Sequence, residues 1–286
     1  MHIDTGNGIR IVPNATLAGA SFTNLSQPAG SHVVTVPTTF DTADPPDVVQ
    51  RMLDRLGLDL PIAGIEPWAS TSMTGPKSYA TSIAIRSPAD ADDVAATFLR
   101  WTWYASRRGG LHLDGATDGF DDPERVLEAL QQIAPSLHVR DDEIPAAAAG
   151  MHIERWGSGE RLQREGEIPH ALRFVLRGEV VLDMRSPRGD YVMTGELPPG
   201  QILGLVGLTR QRILAGAVAL TETETPAAPI EHVEELMRHN ASFARDLGRA
   251  IDIRTRSQVA AWTALAEGRQ PEPEVSSVNL LRSSTS

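Results

Sequence analysis

Three Gly-Glu pairs, Gly159-Glu160, Gly166-Glu167 and Gly178-Glu179, together with Gly200, cut residues 151–225 into short apolar runs. Runs of this length are too brief for amphipathic helices and read as strands. Phe174-Val175-Leu176 and Val180-Val181-Leu182 fit strands packed into a narrow core. A tight turn between such strands requires positive φ, which glycine supplies without steric cost. The segment is therefore expected to close into a small β-roll or barrel. On spacing alone, an unspecialised all-β domain with glycine turns satisfies the same pattern.

The chain has 286 residues, enough for two domains that each bury a core. Residues 1–30 read as a short β segment, with alternation in Ile9-Arg10-Ile11-Val12, a turn at Pro13-Asn14 and a second run from Leu17 to Leu25. Residues 31–140 read as an α/β domain. Its first strand spans 32–37, and a helix opens at Asp44-Pro45-Pro46 with Val48, Val49, Met52, Leu53 and Leu56 at helical spacing. Strands are expected over 62–68 and 79–85, a second helix over 90–106 carrying Phe98 and Trp101, and a fourth strand over 111–113. The order β-α-β-β-α-β is that of a ferredoxin-like sandwich. A third helix begins at Asp121-Asp122-Pro123, with Val126, Leu127, Leu130 and Ile133 on one side. Residues 141–150 are the expected junction, 141–268 the roll with its helices, and 269–286 a polar tail read as disordered. The predicted fold class is α+β.

The formal charge of −11 argues against a nucleic-acid surface, which needs a clustered basic face. With no cysteine, the chain has no disulfide, thiolate nucleophile or cysteine-bound metal. Met1 to Gly6 offer neither a basic region nor an apolar core, so no secretory signal is expected. No run approaches the roughly 18–20 apolar residues of a membrane helix, so the chain as given is read as soluble and cytoplasmic. His112 and Asp114 share a strand face but have no third ligand, and are read as a hydrogen-bonding pair rather than a metal site. His-Glu-x-x-His, Gly-x-Ser-x-Gly and phosphate-loop patterns are absent, so no enzyme, metal or cofactor is expected. Trp101, Trp103 and Tyr104 are read as core or subunit-interface residues, and Trp262 as packing the last helix on the roll.

Residues 154–167, 172–180 and 197–204 together resemble the cyclic nucleotide-binding family: its opening strands, its central hairpin and the lead-in to its phosphate-binding cassette, Leu197-Pro198-Pro199-Gly200-Gln201-Ile202-Leu203-Gly204. The resemblance runs from about Met151 to Leu265 and implies a regulatory β-roll whose ligand is cAMP or cGMP. It places the ligand against Leu203, Gly204, Leu205, Arg210, Arg212, Ile213 and Ala215. In the family a Glu holds the ribose 2′-hydroxyl and an Arg pairs with the cyclic phosphate. Here Leu205 takes the Glu position, and Ile213, or Leu214 in another register, takes that of the Arg. Arg210 and Arg212 lie beside it as substitutes. Two readings stay open: weakened nucleotide binding through one of these arginines, or a nucleotide-independent roll kept for scaffolding or assembly.

The stretch Ile11-Val12-Pro13-Asn14-Ala15-Thr16-Leu17, followed by Asn24-Leu25-Ser26, is similar to the β-domain signature of the small-conductance mechanosensitive channel family. Joined to a nucleotide-binding roll, it resembles the cytosolic layout of the bacterial cyclic-nucleotide-gated channels. That resemblance implies a sensor portion of a channel subunit, a homo-oligomeric ring in the full-length form, and a place at the cytoplasmic face of the membrane. Attachment would come only through membrane helices that this sequence does not contain. A catabolite-activator-type regulator is disfavoured, because the stretch after Trp262 is too short and polar for a basic helix-turn-helix.

Overall fold

In a computed structural model, the described residues are 2–4, 9–11, 32–62, 65–115, 122–137, 139–187 and 189–271. Strands β1 (His2–Asp4) and β2 (Ile9–Ile11) pair antiparallel. The Pro13-Asn14 turn, the run from Leu17 to Leu25 and the tail beyond 271 lie outside the described residues.

The α/β unit comprises β3 (His32–Thr39), α1 (Pro46–Asp59), β4 (Ala69–Gly75), β5 (Ser78–Ile85) and α2 (Ala91–Arg108). Pro46 stands in the first turn of α1, where its missing N–H would have no intrahelical partner. Ser87 and Asp90 form a capping box just ahead of α2, and Arg107 and Arg108 complement the dipole at its other end. The sheet order is β3-β5-β4, so the strands stand first, third, second, all antiparallel. Val36, Val49, Leu53, Leu56, Tyr79 and Ile83 form its core with Phe98 and Trp101. Gly57 lets α1 reach the sheet: a Cβ there would lie 2.5 Å from the Ala69 Cβ.

Two expectations change here. The second strand begins at Ala69, with residues 65–68 in coil, because β4 and β5 form a tight hairpin around Pro76-Lys77 and the register counts back from that turn. Residues 111–113 form no strand. Leu111 and Leu113 are buried in the core from coil, and the His112 N–H donates to Asp44 Oδ2 at 2.7 Å instead of to β3. Three strands of the ferredoxin-like order are thus present among the described residues, without the fourth.

The carboxy-terminal unit begins with α3 (Pro123–Leu137) and α4 (Ile144–Ala148). The sequence pattern grouped α3 with the α/β unit, but Val126, Leu130 and Ile133 pack into one core with Ile153, Phe174 and Phe243 of the roll and its helices. By core membership the division therefore falls before α3 rather than at residue 140.

The roll has eight strands: β6 (His152–Trp156), β7 (Arg161–Gln163), β8 (Ala171–Phe174), β9 (Val180–Arg185), β10 (Tyr191–Leu197), β11 (Ile202–Leu203), β12 (Gly216–Ala219) and β13 (Thr223–Pro229). They form two four-stranded antiparallel sheets, β10-β9-β12-β7 and β11-β8-β13-β6. The four expected corners all adopt positive φ: Gly159 at 85°, Gly166 at 83°, Gly178 at 89° and Gly200 at 92°. At Gly178 the need is twofold, since a Cβ would also lie 2.5 Å from the Glu222 carbonyl oxygen. Helices α5 (Ile230–His239) and α6 (Ala241–Ala266) follow, with the Asn240 side chain accepting from the Phe243 N–H to cap α6. No helix among the described residues is long and apolar enough to cross a membrane.

The two units meet where α2 receives the turn 157–160. Trp101 Nε1 donates to the Ser158 carbonyl at 3.0 Å, and Arg108 donates to Glu160 Oε1 and Oε2 at 2.7 and 3.1 Å. Tyr104 lies so close to Gly157 that a Cβ there would sit 2.7 Å from its ring. A second contact joins Arg164 to Asp59, and Arg55 to Glu167 at 3.2 Å. Of the three aromatics read as core or subunit-interface residues, Trp101 is buried, Tyr104 is half-buried, and Trp103 is 37% exposed and carries Arg107 over its ring. Asp114 accepts from Arg107 Nη2 at 2.8 Å.

Candidate functional site in the roll

Strand β11 ends at Gly204, which takes positive φ and turns the chain into a 3₁₀ segment, Leu205–Thr209. Arg210 closes that segment in the same left-handed region, at φ 54°. A Cβ at Gly204 would collide with the Ala171 carbonyl oxygen, so the cassette turn sits directly on β8. Gly204→Ala is expected to lower stability by about 1–3 kcal/mol, the usual cost of a non-glycine residue held in this region. A lower melting temperature, with the far-ultraviolet spectrum unchanged, checks it.

Leu203, Leu205 and Ile213 are 2%, 5% and 4% exposed, and all three line a cavity between the cassette and α6. Ile213 is fixed by reciprocal backbone bonds across the β7–β8 turn: Gly166 N–H donates to Ile213 O, and Ile213 N–H to Glu167 O, both at 2.8 Å. Ala215 is fully buried, and its carbonyl accepts from Gln163 Nε2 at 2.8 Å. Five of the seven residues singled out in the sequence, Leu203, Gly204, Leu205, Ile213 and Ala215, are thus gathered around one spot.

The two arginines are not. Arg210 turns outward to α5, with Nη2 3.0 Å from Glu234 Oε1 and Nη1 3.8 Å from Glu231 Oε1. Arg212 donates to the Gly166 carbonyl at 2.6 Å. Neither lines the cavity. The 3₁₀ segment and its left-handed exit bring Arg210 to the acidic face of α5, and Arg212, which alternates with the inward-pointing Ile213, reaches the Gly166 carbonyl across the β7–β8 turn.

The polar groups that do line the cavity are Gln163, Arg254 and Gln258. Arg254 and Gln258 stand one turn apart on α6, at 5% and 7% exposure. The sequence offered a signal for them. Leu247, Ala250, Arg254, Gln258, Ala261 and Leu265 follow helical spacing and are all buried, so α6 turns this stripe inward. Trp262, expected to pack this helix on the roll, is instead 55% exposed.

The roll also contains two ion pairs with good geometry. Arg161 grips Asp183 with both terminal nitrogens at 2.7 Å, in space kept open by Gly216. Burial lowers the Arg161 pKa, but the hydrogen bond and charge of Asp183 more than offset this and raise it. Arg173 holds Glu154 at 2.6 and 3.2 Å. Among the described residues no cluster of three or more His, Asp or Glu side chains has the arrangement of a metal site.

Residues 153–240 match the family described as the cyclic nucleotide-binding domain. No curated protein matches the chain significantly. Among solved structures, the catabolite activator protein of Thermus thermophilus is 25% identical, with a TM-score of 0.40; the alignment covers 46% of this chain and 63% of that protein. The N-terminal domain of a transcriptional regulator from Streptomyces coelicolor A3(2) is 26% identical over 46% of this chain and 92% of that one, with a TM-score of 0.36. The regulatory domain of Toxoplasma gondii PKA, crystallised with cAMP, is 14% identical over 61% and 59%, with a TM-score of 0.40. This chain thus spans less than two thirds of the Thermus and Toxoplasma proteins. Residues 153–240 match a cyclic nucleotide-binding domain, and they fold here as a β-roll followed by α5.

Proposed function

We propose that the carboxy-terminal unit is a non-catalytic, ligand-operated regulatory module of the cyclic nucleotide type. The observation that carries this reading is the cavity between α6, which contributes buried polar side chains to its wall, and the cassette turn, which lies inside the segment that matches this family. The cavity measures about 20 Å³, enough for a water molecule but far too small for a nucleotide. Binding therefore requires α6 and the cassette to part. A ligand that binds the parted arrangement better shifts the population toward it, by as much as its affinities for the two arrangements differ. The turn 157–160, seated on α2, supplies a contact through which the amino-terminal unit feels that change.

Leu205 and Ile213 set the expected affinity. A ribose hydroxyl facing Leu205 loses its partner, a cost of roughly 1–3 kcal/mol, so binding weakens by one to two orders of magnitude. Calorimetry and thermal melting with cAMP and cGMP up to millimolar concentration are expected to show a saturable rise in melting temperature. Leu205→Glu with Ile213→Arg should tighten binding at least tenfold. No heat and no shift at millimolar ligand removes the sensor reading and leaves the nucleotide-independent scaffold.

The wider reading is the cytosolic sensor portion of a mechanosensitive-type channel subunit. It is supported by the strand–helix–strand–strand–helix order of the α/β unit along the chain and by the residues around Pro13-Asn14. The family match does not reach these residues. Mass photometry tests the oligomeric ring that this reading entails, and a strict monomer at micromolar concentration counts against it.

A further inference from the structure

Arg254 and Gln258 lie beyond the residues that match the family, yet they form the α6 wall of the cavity opposite Leu205 and Ile213. Their neighbours on the inward stripe, Leu247, Ala250, Ala261 and Leu265, are small or apolar. Burying a guanidinium in such a stripe carries a desolvation cost that simple helix packing does not require. Arg254 already takes part in a polar or electrostatic interaction of its own. A guanidinium presents five N–H donors in a fixed fork, a geometry that matches a phosphate.

The facing wall has the opposite polarity. Gln163 is oriented by its Nε2–H bond to the Ala215 carbonyl, and its Oε1 is buried without a hydrogen-bond partner among the described residues. The cavity thus brings together a cation and an amide from the helix and an acceptor from the roll. The roll's own cassette positions are apolar, and Arg210 and Arg212 are directed elsewhere.

We propose that Arg254 is the anion anchor of this site, so that the phosphate of a small organic phosphate is held by the covering helix instead of by the roll. This rests on the regulatory reading above and goes further, by naming the residue and the element that grips the charge. Its consequence is mechanical. With the anchor on α6, the ligand bridges helix and roll directly, and its affinity becomes part of the equilibrium that positions α6. Gln163 Oε1 is then free to accept from a ligand hydroxyl or amino group.

The test uses the full chain and two probes that share base and sugar, cAMP and uncharged adenosine. The wild type is expected to prefer cAMP by at least tenfold; equal affinity for the two overturns the proposal. Arg254→Gln is expected to weaken cAMP tenfold or more and leave adenosine unchanged. Arg254→Lys, which keeps the charge but loses the fork, should fall between them. Equal cAMP affinity in the wild type and both folded variants overturns the proposal, and the wild-type comparison decides alone if the variants do not fold. If neither probe binds the wild type, the nucleotide reading fails separately. Inorganic pyrophosphate then judges the anchor: a rise in melting temperature in the wild type that Arg254→Lys reduces supports it, and no rise in the wild type overturns it.

Discussion

Replacing Arg108 with methionine is expected to destabilise the protein by about 3–5 kcal/mol, the usual loss when one partner of a buried ion pair is removed. The Glu160 side chain is 3% exposed. It accepts from Arg108 and from the Gly157 N–H, the latter at 2.6 Å, so the same carboxylate shapes the turn and docks it. Arg108 also donates to the Arg155 carbonyl at 2.6 Å and lies 3.8 Å over the Trp156 ring. Losing it strands a buried charge and uncovers an aromatic face. Removing both charges, as Arg108→Met with Glu160→Leu, should recover part of that loss, although the Gly157 N–H then lacks its acceptor. Urea unfolding followed by tryptophan fluorescence measures both variants. A single-variant effect below about 1 kcal/mol would mean that the contact is no more than a surface pair. If the turn on α2 carries the regulatory signal, Arg108→Met should also remove any effect of ligand on protease cleavage in the amino-terminal unit.

The second large effect is expected in acid. Burial pushes the Glu154 carboxyl upward, but the charge of Arg173 and hydrogen bonds from His152 and Arg173 outweigh it and hold the pKa at about 2, against an ordinary 4.5. A group whose folded value is depressed contributes its full stabilisation above its unfolded pKa. That contribution is lost as pH falls from about 4.5 toward 2. The difference amounts to roughly 3 kcal/mol at neutral pH. Chemical denaturation at several pH values between 7 and 3 should show the wild type losing stability more steeply than Glu154→Leu with Arg173→Met. The double substitution removes both charges, so no lone ion is buried. Parallel pH curves for the two proteins would refute this role. Glu154→Gln alone should be worse at every pH, because the Arg173 guanidinium then loses its counter-charge.

The carboxy-terminal half was legible for a physical reason: its corners depend on backbone angles that only one residue type adopts cheaply. All four glycines chosen from spacing became corners; Val180-Val181-Leu182 became part of β9, whereas Phe174 ends β8 and Val175-Leu176 continue outside a strand. Helices α1, α2 and α6 were readable because buried side chains recur at a fixed angular interval. Phase was less secure. In α6 the large side chain of Trp262 suggested the buried face, whereas the buried stripe is the one that contains Arg254 and Gln258.

Local pattern thus determined the elements of this protein, because turn angles and helical periodicity are properties of a few neighbouring residues. It also determined which cassette positions would be apolar, since Leu205 and Ile213 are facts of sequence alone. Only the tertiary structure decided that α3 joins the roll, that residues 111–113 fill a core without pairing as a strand, and that Arg210 and Arg212 turn away from the cavity. Each of these depends on partners far along the chain. The charge that faces the cavity comes from α6, some forty residues beyond the cassette, and no local spacing could bring the two together.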